Sequence, residues 1–223
     1  MAEINPKLIH ALSLLMILTS FAAVEARNLR HATFAYLAQA LLICGLLFAY
    51  SAQNEALIYW AVTALITKAI LVPLFLWRAT AGAGAEQETK PLIGFGVSAV
   101  LLVALVAVMY KFTHMHAGLF VDPTSNIAVI AETNLAVAFT VFVLGLYAIL
   151  TRRDAIKTVI GLCLLENGVH LSLVSLAPGI KETALAGIAT EVVVTVYLLL
   201  YVIGGIREKF GSTDTFELSE LHW

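Results

Sequence analysis

The stretch Gly161-Leu-Cys-Leu-Leu-Glu166-Asn167-Gly-Val-His170-Leu-Ser-Leu173 places a carboxylate, an amide and an imidazole inside an otherwise apolar run. Such a run is typical of the middle of a membrane span. A carboxylate at that depth costs roughly 2.5–3.5 kcal/mol or more, and it is seldom kept unless it faces a partner, a water-filled cavity or an ion path. Glu166 is therefore a candidate functional residue.

Composition indicates an all-helical integral membrane protein. The chain has 223 residues, of which 61% are hydrophobic and 13% are charged. Apolar runs of roughly 17–25 residues recur along it, which excludes a soluble protein with a large core. The formal net charge is -2 and the basic residues are scattered, which excludes a nucleic-acid-binding protein. Cys44 and Cys163 both lie in apolar runs, so they predict neither a disulfide framework nor a metal site.

Seven spans are predicted: Leu8–Val24, Thr33–Tyr50, Ala56–Trp77, Leu92–Tyr110, Ile130–Leu150, Ile156–Ala177 and Thr183–Gly205. Although Val24-Glu25-Ala26 is similar to a signal-peptide cleavage site, we expect the first run to be retained as a span. Seven crossings divide the basic residues unevenly between the two sides. One side would hold Arg27, Arg30, Arg78, Lys90, Arg152, Arg153, Lys157, Arg207 and Lys209, and the other only Lys7, Lys111 and Lys181. The positive-inside rule then predicts an external amino terminus and a cytoplasmic carboxyl terminus.

Loop composition suggests four segments. Residues 1–91 would form a three-helix extension that ends in a flexible cytoplasmic linker from Ala79 to Lys90, rich in Ala and Gly. Residues 92–127 would hold the fourth span and a turn-rich external loop from Lys111 to Asn126 rather than a further helix. Residues 128–205 would form a three-helix unit. Residues 206–223 would form a cytoplasmic tail, whose polar end from Gly211 we expect some other surface to hold.

Four ionisable side chains lie well inside the predicted spans: Lys68, Glu166, His170 and Glu191. At about 1.5 Å of rise per residue, Lys68 lies roughly 18 Å, Glu166 roughly 15 Å and Glu191 roughly 12 Å below the outer surface. Three different helices would therefore present titratable groups near the bilayer midplane, as a lateral proton relay requires.

Glu166 and His170 are four residues apart, so they share one helix face, and Asn167 stands three residues from His170. A carboxylate and an imidazole so placed can exchange a proton through one water molecule. The alternative is that the three side chains only hydrogen-bond neighbouring helices together. For a cluster of three we favour a functional role.

Lys68 precedes Pro73, which cannot donate a backbone hydrogen bond and so frees the carbonyl of Ala69. A kink there would give water or an ion room beside a buried lysine. The alternative is that the ammonium extends along the helix to the cytoplasmic surface.

Glu191 lies in a stretch where Gly187 and Ala189 are expected to allow close helix approach. We assign it to the same path. The alternative is a structural ion pair, for which Lys68 is a candidate partner.

Other polar residues carry weaker signals. His114 and His116 lack a clear third ligand, so a metal site is not predicted there. Three carboxylates near span ends are expected to be solvated: Glu25, Glu55 and Glu132. No phosphate loop, nucleophile triad, haem-ligand pair or iron–sulfur pattern is found in the sequence. The chain is therefore expected to hold no cofactor, metal or catalytic centre of its own.

The motifs in the last three spans resemble a known family. Phe142-Val-Leu-Gly-Leu146, Arg152-Arg153, Ile160-Gly-Leu162, Asn167 and Glu191 are similar to the K subunit of respiratory complex I and the C subunit of cation/proton antiporters. The chain as a whole resembles hydrogenase-4 component E, a membrane subunit of formate hydrogenlyase-type complexes. That likeness rests on Ile66-Thr-Lys68-Ala-Ile-Leu-Val-Pro73-Leu, Cys163-Leu-Leu-Glu166-Asn167-Gly-Val-His170-Leu and Gly187-Ile-Ala-Thr190.

The resemblance implies a multi-pass subunit in the plasma (inner) membrane of a prokaryote. It implies antiporter-like partner subunits and a peripheral hydrogenase arm, whose subunits carry the nickel–iron centre and the iron–sulfur clusters. A proton or sodium path coupled to electron transfer would use Glu166, Glu191, Lys68, His170 and Asn167. The alternative is a scaffold that joins an antiporter-like subunit to the hydrogenase arm without conducting ions.

One departure from the complex I pattern concerns Glu166. The carboxylate of that helix in the complex I subunit would fall at Cys163, so Glu166 is displaced by about one turn, roughly 4.5 Å along the axis. Glu191 has no such displacement and is the safer assignment.

Overall fold

The computed structural model describes residues 6–51, 55–81, 87–88, 90–121, 128–176 and 182–216. The described chain is helical, with α1 Pro6–Glu25, α2 Leu29–Tyr50, α3 Ala56–Ala64, a π-helix Leu65–Leu71, α4 Val72–Ala81, α5 Phe95–Phe120, α6 Ala128–Thr151, α7 Ala155–Leu176 and α8 Glu182–Phe210. Seven stretches of the described residues are long and apolar enough to cross a membrane, α3, the π-helix and α4 forming one of them. For the described residues, the predicted all-helical class is confirmed, and so is the predicted number of helices that are long and apolar enough to span a membrane.

The fourth span differs from its predicted limits. We expected it to end at Tyr110 and a turn-rich loop to follow, but α5 runs from Phe95 to Phe120. The loop prediction is therefore wrong from Lys111 to Phe120, because no helix-breaking residue stands between Tyr110 and Gly118. The rest of the predicted loop, residues 122–126, lies outside the described residues.

The helices α6 and α7 form the most extensive helix pair. A Cβ added to Gly168 would lie 2.6 Å from the backbone nitrogen of Phe142, and one added to Gly145 would lie 2.5 Å from that of Leu165. The two backbones are thus in contact, which only residues without a side chain permit, as in many membrane helix pairs. This contact sets the position of the face of α7 that carries Glu166, Asn167 and His170.

The third span is irregular where the sequence predicted a kink. Residues Leu65–Leu71 are π-helical, and the N–H of Val72 donates to the carbonyl of Thr67, five residues back. Pro73 lies just after this segment. A π-helical turn widens the helix and is frequent at functional sites. Lys68 lies in the middle of it.

The helices α5 and α8 lie at the periphery of the bundle. In the membrane-spanning stretch of α5 only 11% of the residues are buried within the chain, and in that of α8 only 17%, against 61% in that of α7. The expectation that Gly187 mediates close helix packing is wrong within the described part of the chain, where no atom lies within 4 Å of a Cβ added there. The side chain of Ala189 lies outside the described residues.

The α1–α2 turn, the α6–α7 turn and the start of the tail meet at one end of the bundle, which we call the basic end. The backbone N–H of Ala155 donates to the carbonyl of Thr213 (3.0 Å), and Arg153 forms a 2.7 Å ion pair with Asp214. The first part of the tail is thus held by the chain's own α6–α7 turn. Residues 217–223 lie outside the described residues.

The predicted linker is anchored at its end. The N–H of Glu88 donates to the carbonyl of Arg27 (2.7 Å), and Gln87 pairs with Asn28 in an isolated bridge. Residues 79–81 belong to α4. The prediction of a flexible linker from Ala79 to Lys90 is therefore wrong at both ends, and it stays a prediction for residues 82–86 and 89, which lie outside the described residues.

Candidate functional site: a buried lysine centre

The ammonium of Lys68 lies in the interior of the bundle with three polar partners from α7. The side chain is 1% exposed, and its Nζ is 3.0 Å from Glu166 Oε1. It donates to Asn167 Oδ1 at 2.6 Å and lies in hydrogen-bond contact with His170 Nδ1. The ammonium thus has one ion-pair partner and two hydrogen-bond partners, all on α7. The alternative that Lys68 extends to the cytoplasmic surface is excluded.

His170 and Glu166 also face one another across the same ammonium. His170 Nδ1 lies 3.6 Å from Glu166 Oε1, so three titratable groups share a volume only a few ångströms across. With Lys68 charged, His170 Nδ1 must accept a hydrogen bond and its ring proton must sit on Nε2. One proton can then move from the ammonium to the imidazole or to the carboxylate without any change of helix position.

Two further residues support the centre and were not singled out from the sequence. The amide of Asn167 donates to Gln39 Oε1 on α2 at 2.6 Å. The indole ring of Trp60 on α3 packs edge-on against the His170 ring, with centroids 5.2 Å apart. Gln39 could have been found, because it is an amide inside the second apolar run. Trp60 could not, since an apolar aromatic in a span carries no such signal.

Glu191 meets the centre through a cavity rather than by contact. A cavity of about 320 Å³ lies between α7 and α8, and both Glu166 and Glu191 line it, together with Thr195. Several water molecules fit in that volume, at about 30 Å³ each. Glu191 itself is exposed. The ion-pair partner of Lys68 is therefore Glu166, and the alternative that gave this role to Glu191 is not what the structure has.

A second charged cluster lies at the basic end, and it corrects the expectation that Glu25 is solvated. Glu25 is 5% exposed and pairs with Arg152. Glu55 is exposed as expected. Glu132 is partly exposed and pairs with His114 at 2.7 Å. Sequence position near a span end does not reveal burial, because a neighbouring turn can cover the side chain.

No group of three potential metal ligands occurs among the residues that the structure describes. Asp122, the next carboxylate after His114 and His116 in the sequence, is not among them. His116 Nδ1 lies 2.9 Å from the carbonyl of Phe112, in its own helix.

Comparison with known proteins places this arrangement in a family. The chain is 31% identical to hydrogenase-4 component E of Escherichia coli K12 over 217 residues, which is 96% of this chain and 97% of that protein. The chain belongs to the hydrogenase-4 component E family. The same identity is found with hydrogenase-4 component E of Shigella flexneri, and an uncharacterised protein of Mycobacterium tuberculosis is 27% identical over 92% of each chain. No solved structure gives a significant match.

Within this hydrogenase-4 component E family member, residues 133–223 match the model of NADH-ubiquinone/plastoquinone oxidoreductase chain 4L. Glu166, His170 and Glu191 fall inside that region, whereas Lys68 lies outside it. The buried centre therefore joins a chain 4L-like part to a lysine from the preceding helices. The resemblances to hydrogenase-4 component E and to the K subunit of complex I are confirmed.

Proposed function

We propose that this chain is a membrane-arm subunit of a complex I-related nickel–iron hydrogenase and that its buried lysine centre is one element of a proton path. Partner subunits would hold the nickel–iron centre and the iron–sulfur clusters, and this chain would hold no redox group. Electron transfer in the partners would alter the charge around the centre, and the centre would respond by moving a proton. The name of the relatives supports the hydrogenase assignment.

The observation that carries the proton path is the contact of Lys68 with Glu166 and His170 at membrane depth. A charge this deep is costly, and such residues mark ion pathways in many membrane proteins. Starting with Lys68 charged and Glu166 ionised, transfer of one proton gives a neutral amine and a neutral carboxyl. The cavity that Glu166 shares with Glu191 provides a continuation of the path towards the surface of α8.

The same geometry favours protons over sodium. A sodium site needs several oxygen ligands around the ion, whereas Glu166 Oε1 faces an ammonium at 3.0 Å. The positive charge of Lys68 would repel a cation at that position. Asn167 and His170 are also directed towards the ammonium.

The membrane setting follows the family and the distribution of charge. We place the chain in the inner membrane of a prokaryote with the basic end in the cytoplasm, which gives an external amino terminus. The outward faces of α5 and α8 would meet lipid or antiporter-like subunits. Glu191, exposed on α8, would lie where a partner subunit covers it, because a carboxylate facing hydrocarbon is costly.

A scaffold role is the second candidate, and one observation favours it. The Asn167 side chain bonds to Lys68 and Gln39 and so ties α7 to the third span and to α2. Such buried bonds can serve helix packing alone. In that case the polar centre would hold the subunit together and no proton would pass through it.

Substitutions that replace each carboxylate with an uncharged amide of the same shape distinguish the proton path from the scaffold role. The complete complex, with Glu166→Gln or Glu191→Gln in this chain, would be purified and reconstituted into proteoliposomes. A proton path predicts assembled complexes whose coupled proton movement is lost, while Glu208→Gln, which alters an exposed carboxylate at the end of α8, leaves it unchanged. Full coupled pumping in the double variant would refute the proton path, and failure to assemble would favour the scaffold.

A further inference from the structure

The basic end contains a second buried charge cluster that the proposed function leaves unused. Its members are Glu25 at the end of α1, Glu88 before α5, Arg152 in the α6–α7 turn and Lys157 in the first turns of α7. None of the four side chains is more than 4% exposed. Two carboxylates and two cations balance in charge, as buried groups require.

Within this cluster Glu25 has close partners. Arg152 Nη2 donates to Glu25 and lies 3.2 Å from Ser98 Oγ, and the Ser98 hydroxyl also donates to Glu25. The Ser98 hydroxyl is in turn 2.7 Å from that of Tyr147. Glu25 Oε1 therefore has both a counterion and hydrogen-bond donors.

Glu88 is placed differently. Its nearest cations are Arg152 Nη1 at 3.6 Å and Lys157 Nζ at 3.8 Å, and neither of its carboxylate oxygens has a hydrogen-bond partner among the described residues. Lys157 donates instead to the carbonyls of Ala23 and Val24, at 2.8 and 2.9 Å. The carboxylate is thus compensated in charge, but no described residue donates a hydrogen bond to it.

Burial raises the pKa of Glu88. Lys157 and Arg152 lower that pKa in part, and the like charges of Asp154 and Glu25 raise it further. Since a carboxylate of raised pKa accepts a proton closer to neutral pH, Glu88 takes up a proton more readily than an exposed glutamate does.

A cavity connects Glu88 with the surface. It has a volume of about 410 Å³, and among its lining residues Arg27, Gln87 and Lys90 are exposed while Glu88 is buried. Several water molecules fit there, and the charged and amide groups of the lining can hydrogen-bond them. A proton from the solution at the basic end thus has a polar route to Glu88.

The same side of the bundle carries polar groups from this cluster towards the lysine centre. Lys157 and Glu166 are both on α7, nine residues or about 13.5 Å apart. The hydrogen bond from Asn167 to Gln39 places these two residues of α7 and α2 at the same depth in the bundle. One turn nearer the basic end, each helix buries a residue that carries a polar hydrogen, Tyr36 on α2 and Cys163 on α7.

We propose that Glu88 is a proton-exchange site that takes protons from the cavity at the basic end and supplies them to the centre around Lys68. An oxonium ion in the cavity transfers one proton to a carboxylate oxygen of Glu88. One O–H bond of the oxonium ion breaks, an O–H bond forms on Glu88, and a water molecule remains in the cavity. Once protonated, Glu88 no longer offsets the positive charges of Arg152 and Lys157, which lie 3.6 and 3.8 Å from it, and their repulsion favours onward release of the proton. The destination of the proton rests on the proposed function, whereas its uptake by Glu88 does not.

The first test measures protonation directly in the complete complex. Infrared difference spectra of the complex in nanodiscs, titrated from about pH 5 to about pH 9, should show a protonated-carboxyl band that is lost in Glu88→Gln and shifted in Glu88→Asp. Glu132→Gln, a carboxylate at the opposite end of the bundle, is the matched control and should keep the band. A band that survives Glu88→Gln, or that does not shift in Glu88→Asp, would overturn the proposal, and the Asp variant decides if the Gln variant fails to assemble.

The second test separates this site from the lysine centre. In proteoliposomes Glu88→Gln should slow coupled proton uptake at the basic side, and Glu88→Asp should restore it. If Glu166→Gln pumps normally while the Glu88 band behaves as expected, the proposed function fails but Glu88 remains a proton-exchange site. If pumping depends on Glu166 and is unchanged in Glu88→Gln, supply through Glu88 is refuted.

Discussion

Lys68 and Glu166 depend on one another because each is the counterion of the other inside a bilayer. The two charged groups lie 3.0 Å apart, and the surrounding helices leave the Lys68 side chain only 1% exposed. In that setting the attraction between the two charges offsets part of their desolvation cost. Asn167 and His170 stabilise the ammonium further, so the centre holds one proton among several acceptors.

Removing the lysine charge should be more harmful than removing both charges. Lys68→Met leaves Glu166 without its counterion, and losing one partner of a buried pair costs about 3–5 kcal/mol of stability. The double variant Lys68→Met/Glu166→Gln should recover part of that loss, as thermal unfolding of the complex in nanodiscs would measure. Equal unfolding temperatures for the single and the double variant would show that the pair is not coupled.

The pH dependence of stability should reveal Glu88. Burial raises its pKa in the folded protein, so the folded chain binds the proton more tightly than the unfolded chain does. The stabilising contribution is therefore present at low pH and is lost as the pH rises through the folded-state value. Between about pH 5 and about pH 8 the melting temperature should fall further in the wild type than in Glu88→Gln. Parallel melting curves would contradict this.

At the scale of helices, the α6–α7 pair orients the centre. Gly168 lies one residue after Asn167 and fits against α6 so closely that a Cβ would be 2.7 Å from the carbonyl oxygen of Ala138. Because backbone atoms cannot move aside as a flexible side chain can, this contact fixes the rotation of α7. The π-helical turn around Lys68 supplies the facing element.

Enlarging Gly168 should therefore disrupt the centre, while the same change at Gly187 should not. Gly168→Val forces α6 and α7 apart, whereas a Cβ at Gly187 meets nothing within 4 Å. We expect the first variant to reduce the amount of assembled complex severalfold and the second to leave it near the wild-type level, as quantitative blotting of membranes would show. Similar losses in both would mean that Gly187 packs against a partner subunit.

At the scale of the whole molecule, α5 and α8 leave much of their surface uncovered by the chain itself. Residues 213–216 contact Arg153 and Ala155 in the α6–α7 turn, so the start of the tail stabilises the basic end from within the chain. The uncovered helices are consistent with a subunit whose remaining surface meets lipid and other chains. Glu191 lies on that surface, at the opening of the cavity beside Glu166.

Membrane orientation can be tested with single cysteines, because Cys44 and Cys163 are both buried. Lys209→Cys, exposed at the basic end, should react with an impermeant maleimide only from the cytoplasmic side. Leu119→Cys, which replaces a side chain 78% exposed near the other end of α5, should react only from outside. The reverse labelling pattern would overturn the proposed orientation.

The sequence alone determined the architecture and most of the candidate residues, for a physical reason. In a bilayer each backbone group must bond within its own segment, so long apolar runs can only be helices, and a buried charge stands out against them. Lys68, Glu166, Asn167 and His170 were identified in this way, and the structure brings the four together. The domain limits and the ion path stay predictions.

Only the tertiary structure decided which charges meet. The sequence placed Lys68, Glu166 and Glu191 at similar depth, but it did not show which way each helix is rotated about its axis. The glycine contacts between α6 and α7 and the π-helical turn around Lys68 determine that rotation. It therefore took the packed bundle to pair Lys68 with Glu166 rather than Glu191, and to place Glu191 across a cavity. The sequence did not reveal the cluster of Glu25, Glu88, Arg152 and Lys157. Charged residues near span ends look like solvated ones in the sequence, and only the folded chain buries these four together.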